Sequence, residues 1–247
     1  MIAQPFKVQP LSSGQSNQTL RLISDSGDYV LKCWRNERLF AVDRRLEVAI
    51  QQHLAQDSLA PHLVDYHIEQ GWLLQPYLQA PSLQQARLSA LAKAGVLAET
   101  LAKIHSVRVD VPHWSMANRV EHYLQQLRLF NGSLAADMRR QLRPMKALLE
   151  DWLKNPVLCH NDLSMNHVLM ADSIKVIDWE YAGIGHPLFD IASTIKINQL
   201  SHDMTARLIS DYEKITRYQI DRQHLAQWCE FVDWLNEIWQ HLLRQAS

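Results

Sequence analysis

Two aspartates at the ends of apolar runs carry the clearest chemistry in this sequence. Val157-Leu158-Cys159-His160-Asn161-Asp162 passes from an apolar strand into a polar, acidic turn, and sixteen residues later Ile174-Lys175-Val176-Ile177-Asp178 repeats the arrangement. Two strands that each deliver a carboxylate to a loop mouth can hold a divalent metal and a reacting hydroxyl. Phosphoryl transfer needs those parts: one carboxylate to orient the nucleophile, another to hold metal on the nucleotide phosphates. Either aspartate alone reads more readily as a turn former or helix cap. Together, with His160 two residues before Asp162 and Trp179-Glu180-Tyr181 after Asp178, they favour the chemical reading.

The elements around these runs must position them. Residues 19–24 alternate and end at Asp25-Ser26-Gly27-Asp28, after which 29–33 resumes as a strand, predicting a hairpin. Phe40, Leu46, Ile50 and Leu54 fall at helical spacing and predict an amphipathic helix over 40–56. Runs 63–69 and 72–78, split by Gln70-Gly71, predict a second hairpin. Beyond Pro81 the pattern predicts helices over 83–106, 118–130, 134–153, 201–217 and 221–246, with brief strands at 157–159 and 174–177. The expected fold class is α+β, with a small β-rich lobe over 1–80, a larger helical lobe over 81–247, and a hinge at 75–81. Repeats and low-complexity tracts are absent from the sequence.

Composition narrows the function classes. A chain of 247 residues can build one large domain or two lobes, and 47% hydrophobic with 21% charged residues is an ordinary globular balance. A formal net charge of −1 supplies no basic field, so nucleic acid is not an expected partner. Cys33, Cys159 and Cys229 are distant and odd in number, forming neither a disulfide framework nor a CxxC metal pair. The scattered histidines show no zinc spacing. No apolar run approaches the roughly 18 residues of a membrane span, and no secretory signal opens the chain, so a cytoplasmic location is expected. Oligomeric state is left open.

The segment CHNDLSMNHVLM followed by IKVIDWEYAGIGHPLFDIA resembles the catalytic segment of the aminoglycoside phosphotransferase and choline kinase superfamily. The Asp-Trp-Glu-Tyr-Ala run is most similar to its choline/ethanolamine kinase and thiamine kinase branches. The resemblance implies a protein-kinase-like two-lobed fold, with ATP and Mg²⁺ as cofactors. It also implies Asp162 as catalytic base, His160 as support for that loop, Asp178 as Mg²⁺ ligand, and Asp190 as a brace behind the catalytic loop. The family pattern is His-x-Asp-x-x-x-x-Asn, and here the sequence departs from it. Five residues after Asp162 stands His167, with Asn166 just before it. Imidazole is a poorer Mg²⁺ ligand than an amide oxygen. Either Asn166 reaches the metal through a loop shift, or one metal site is weakened, or His167 is only a hydrogen-bonding replacement. The expectation is retained activity with altered metal geometry.

The first eighty residues add to the resemblance. LSSGQSNQTL over 11–20 resembles the family's Leu-Ser-Gly-Gly-x-Thr-Asn nucleotide loop, which implies Ser13, Gly14 and Asn17 at the phosphates. Lys32, in Tyr29-Val30-Leu31-Lys32, fits the strand lysine that contacts α/β-phosphates, with Glu47 as its ion-pair partner. The stretch 72–78 becomes the hinge, with backbone groups near Gln75 and Tyr77 placed to hydrogen-bond adenine. LAETLAKIH over 97–105 resembles a family helix end, and His105 is expected to pack or cap.

The acceptor is expected at Trp179, Glu180 and Tyr181. Trp228, Trp234 and Trp239 follow helical spacing and read by default as core. Beside Glu180, Asp233 and Glu237 they would instead form an aromatic, acidic wall for a small cationic alcohol of the thiamine or choline type. The alternatives are an aminoglycoside O-phosphotransferase and, because of His167, a catalytically impaired nucleotide-binding module.

Overall fold

Tight hairpins build the N-terminal part of the chain. The structure is a computed structural model describing residues 6–13, 17–35, 37–113 and 115–246. Strands β1 (Lys7–Ser13), β2 (Asn17–Ser24), β3 (Gly27–Trp34), β4 (Asp65–His67) and β5 (Trp72–Pro76) form one antiparallel sheet in the order β1-β2-β3-β5-β4. Ser24 pairs with Gly27 across a two-residue turn, and Gly27 has φ 134°, a conformation open to glycine. Strand β1 precedes the first strand expected from the sequence. Pro10 interrupts its pattern, and the sheet tolerates the proline because β1 is an edge strand whose register shifts between Pro10 and Ser12. Much of the expected nucleotide loop is therefore strand. Ser13 ends β1, Asn17 begins β2, and Gly14 lies outside the described residues.

The helix expected over 40–56 is divided into α1 (Glu37–Phe40) and α2 (Arg44–Gln56). Ala41 turns left-handed at φ 52°, and the Asp43 carboxylate caps α2 by accepting from the Arg45 and Leu46 amides at 3.0 and 3.2 Å. Helix α3 (Ala90–Ser106) begins at 90 rather than 83, because Ser89 Oγ caps it through the Ala92 amide at 3.2 Å. Helix α4 spans Met116–Phe130. The single helix expected over 134–153 is α5 (Gly132–Gln141), a 3₁₀ turn (Arg143–Met145) and α6 (Lys146–Glu150), since Pro144 cannot donate to a continuing ladder.

Two short strand pairs are set among the helices: β6 (Val157–Cys159) with β9 (Gly183–Gly185), and β7 (Val168–Met170) with β8 (Ile174–Val176). Helices α7 (Pro187–Ile197), α8 (His202–Thr216) and α9 (Arg222–Ala246) complete the chain. One hydrophobic core runs through both parts, because Phe40, Ile50 and Leu54 share a cluster with Leu97, Leu124, Ile191 and Trp228. The α1–α2 turn is also tied to α4: Tyr123 O–H donates to Phe40 O at 3.0 Å and Arg119 Nη2 to Ala41 O at 3.3 Å. Among the described residues no helix is long and apolar enough to cross a membrane.

Candidate active site

Strand β3, helix α2 and the turn after β8 bring three charges together. Lys32 Nζ donates to Glu47 Oε1 at 3.0 Å and to Asp178 Oδ1 at 2.5 Å, with Glu180 at 3.8 Å. Burial opposes the Lys32 charge, but Asp178, Glu47 and Glu180 outweigh it and raise its pKa well above the usual value. Burial likewise pushes Asp178 up, and Lys32 followed by His167 holds its carboxyl well below the carboxylate range. Asp178 has φ 70°, a left-handed conformation that aspartate tolerates better than most residues.

Arg44 completes this network, and the sequence reading passed over it. Its Nη1 donates to Glu47 Oε2 at 2.7 Å and Glu180 Oε2 at 2.9 Å, and its Nη2 to Asn17 Oδ1 at 3.0 Å. Asn17 Nδ2 donates to Glu180 Oε2 at 2.7 Å. Asn17 and Glu180, expected at the phosphates and the acceptor, are thus joined to each other in one buried cluster. Buried charges persist only where each is paired. The available signal was the position of Arg44, one helical turn before Glu47.

The turn after β6 is held from behind. Asp190 of α7, wholly buried, accepts from the His160 and Asn161 amides, both at 2.8 Å, and from His105 Nε2 at 3.1 Å. A carboxylate can only accept, so His105 Nε2 carries hydrogen, and its Nδ1 is hydrogen-bonded to the Tyr212 hydroxyl, 2.7 Å away. His160, also buried, spans the two chemical turns: its Nε2 donates to Ile177 O at 3.1 Å and its Nδ1 accepts from the Asp162 amide at 3.3 Å. Burial first, and His167 second, push its pKa down to about 4, keeping the ring neutral near pH 7. Burial pushes the Asp162 carboxyl up to about 7, with Asp178 and Glu180 adding and His167 opposing. That value suits a general base at neutral pH.

Two cavities meet at Asp178. One, of about 540 Å³, is bordered by Val30, Lys32, Gln75, Tyr77, His167 and Asp178. Along its edge, Tyr77 N–H already donates to Asp28 O at 2.9 Å, and Gln75 pairs with Val30. Antiparallel alternation therefore turns the backbone of Pro76 and Leu78, not that of Gln75 and Tyr77, away from β3. The Gln75 side chain accepts from Gln51 Nε2 at 2.6 Å.

The other cavity, of about 430 Å³, is bordered by Asp162, Asp178, Glu180, Tyr181, Tyr123, Trp239 and Arg119. Trp179 does not reach it: the ring is fully buried, packs 4.7 Å from His160 and donates to Val176 O at 2.9 Å. Trp228 and Trp234 are core residues, and exposed Asp233 pairs with Lys196 at 2.6 Å. Of the late aromatic residues, Trp239 borders the cavity and donates from Nε1 to Tyr181 Oη at 3.3 Å. Tyr123 was not anticipated, because its position in α4 reads simply as an apolar helix face. The Arg119 guanidinium lies 5.5 Å from the Tyr181 ring centre.

The metal question raised by the sequence comes down to two side chains. Asn166 is exposed, and its Oδ1 accepts from Ser82 Oγ at 3.5 Å. His167 donates from Nδ1 to Asp162 O at 2.8 Å, and its Nε2 lies 3.5 Å from Asp178 Oδ2. One donor atom from each of Asp162, His167 and Asp178 lies within 4.8 Å of the others. Two carboxylates and an imidazole fit a divalent cation chemically.

Comparison with known proteins bears on family and fold. The phosphotransferase enzyme family matches the chain over residues 7–244. Ethanolamine kinase 2 of Homo sapiens is 32% identical over 183 residues, covering 68% of this chain and 47% of that protein, so the chain spans about half that relative's length. The crystal structure of choline kinase LicA from Streptococcus pneumoniae superposes with a TM-score of 0.78 at 18% identity, covering 97% of this chain and 85% of the other. The structure of LicA in complex with AMP gives the same TM-score and identity over 99% and 86%. The fold is thus the two-lobed, protein-kinase-like α+β fold.

Proposed function

Because the chain belongs to the phosphotransferase enzyme family, we propose that it transfers the γ-phosphate of ATP to the hydroxyl of a small amino alcohol. The observation that carries this reading is Asp178, which borders both cavities and is gripped by Lys32 at 2.5 Å. The larger cavity takes the nucleotide, with adenine against the Pro76–Leu78 backbone and phosphates towards Lys32. Asp178 and its neighbours hold Mg²⁺ or a related cation, which supplies charge neutralisation on the phosphate oxygens. The lobes, 1–80 and 81–247, close around this site, and dependence on ATP fits a cytoplasmic location.

Asp162 borders the second cavity and acts as the base. It orients the acceptor hydroxyl for in-line attack and takes its proton, while His160 and Asp190 fix the turn that carries it. The names of ethanolamine kinase 2 and of the choline kinase support an amino-alcohol acceptor. Tyr123, Tyr181 and Trp239 beside Asp162 and Glu180 offer an ammonium both aromatic faces and negative charge. Arg119 shares the Tyr181 face and limits how much positive charge the cavity accepts.

An ATP-consumption screen over choline, ethanolamine, thiamine, amino sugars and kanamycin-type compounds tests the reading. Turnover is expected on the small amino alcohols. Turnover on aminoglycosides alone would overturn the acceptor class. ATP binding without transfer to any acceptor would overturn the enzymatic reading.

A further inference from the structure

We propose that His167 is itself a metal ligand, giving this site a preference for a borderline dication of the Mn²⁺ class over Mg²⁺. The inference rests on the phosphotransfer reading, since it concerns the cation held at Asp178.

The tautomer of His167 is set by its neighbour. Asp162 O is a carbonyl and can only accept, so His167 Nδ1, 2.8 Å away, carries hydrogen. In the neutral ring the lone pair is then on Nε2, which stands 3.5 Å from Asp178 Oδ2. A histidine whose far nitrogen is tied to a backbone carbonyl is the arrangement metal-binding imidazoles adopt, because it fixes both tautomer and ring direction. Stacking on His160, at 5.8 Å and 22°, fixes the ring plane as well. The side chain is still 19% exposed, on the border of the larger cavity, so a cation can reach it.

The oxygen alternative is turned elsewhere. Asn166 Oδ1, the amide atom that Mg²⁺ would choose, faces Ser82 Oγ at 3.5 Å. What remains is one nitrogen and two carboxylates whose donor atoms lie within 4.8 Å of one another. Mg²⁺ demands hard oxygen donors in near-octahedral order, whereas first-row transition dications bind imidazole more readily. An N,O,O set therefore shifts selectivity away from Mg²⁺, and an asparagine at 167 would shift it back. The competing account is a protonated His167 that simply pairs with Asp178.

The test uses the full chain with MnCl₂. Free Mn²⁺ is read by electron paramagnetic resonance, MgCl₂ is added as competitor, and bound Mn²⁺ is examined for ¹⁴N coupling by spin-echo modulation. The wild-type protein is expected to show the coupling of a directly bound imidazole, and His167→Asn to lose it. In that variant Mg²⁺ should displace Mn²⁺ about tenfold more effectively than in the wild type. His167→Gln, also with an amide oxygen, gives a second reading should the first variant fold poorly. Bound Mn²⁺ without ¹⁴N coupling, or an unchanged Mn²⁺/Mg²⁺ ratio in the variants, would overturn the inference and make His167 an ion-pair partner. An absence of bound Mn²⁺ would overturn it too, while Mg²⁺-supported turnover would leave the phosphotransfer reading standing.

Discussion

Asp190→Asn probes whether the catalytic turn is held from behind. The wild-type carboxylate is wholly buried and accepts three N–H groups: two backbone amides at 2.8 Å and His105 Nε2 at 3.1 Å. An asparagine offers one oxygen. Placed at the Oδ2 position, it keeps the His160 amide and His105, and its NH₂ group then faces the Asn161 amide. Leaving that buried donor without an acceptor costs about 1–3 kcal/mol, and the two surviving bonds each lose about 1 kcal/mol as the charge disappears. The sum is about 3–5 kcal/mol, which for a chain of this size lowers the thermal midpoint by roughly 6–20 °C. Asn161 sits at φ 66°, and without its bond to Asp190 the turn relaxes and moves Asp162. A displacement of about 1 Å suffices for a hundredfold fall in kcat, with little change in nucleotide affinity. Circular dichroism melts and initial-rate kinetics read both effects. A midpoint within about 2 °C of wild type, on the same scale, together with normal kcat would refute the bracing role.

The remaining predictions concern stability and the acceptor. Burial, aided by His167 and His224 respectively, holds His160 and His186 down to about 4 from 6.5, so the unfolded chain binds more protons between those values. The contribution of each histidine is therefore full above pH 6.5 and is lost as pH drops towards 4, by about 2 kcal/mol per histidine at pH 5, while the Asp162 carboxyl, raised to about 7, works in the opposite sense over the same range. His186→Asn keeps a capping oxygen and should remove the His186 share, about 2 kcal/mol at pH 5, read by comparing urea unfolding of the variant and the wild type. Gly185→Ala would drive a methyl into the Trp152 ring, and calorimetry should show a loss of about 1–3 kcal/mol. Arg119→Gln frees the Tyr181 face for an ammonium, so KM for a cationic acceptor should fall about fivefold while KM for ATP holds.

How far the sequence disclosed this arrangement depended on the range of each interaction. The β2–β3 and β4–β5 hairpins were legible because turn residues and alternation are local signals. Strand β9 is Gly183-Ile184-Gly185, whose glycines disfavour a strand, and its pairing with β6 appears only in the fold. Helix α7 is buried on every side from Pro187 to Ile195, so it lacks the polar face that marks an amphipathic helix. In the site, Lys32, Glu47 and Asp178 stood out by their order along the chain. The Asn17–Arg44–Glu180 cluster did not, since it joins residues as much as 163 positions apart and exists only once the sheet, α2 and the turn after β8 pack together. Trp179 stands next to Asp178 in sequence, but strand-end geometry sends it into the core.

The most direct measurement is phosphorus NMR of the chain incubated with ATP, a divalent cation and an amino alcohol, for the wild type and Asp162→Asn. The wild type should yield ADP and a new phosphomonoester in equal amounts. The variant should still bind ATP by calorimetry and form no ester. An Asp162→Asn protein that makes the ester at the wild-type rate would contradict the assignment of Asp162 and Asp178 to phosphoryl transfer.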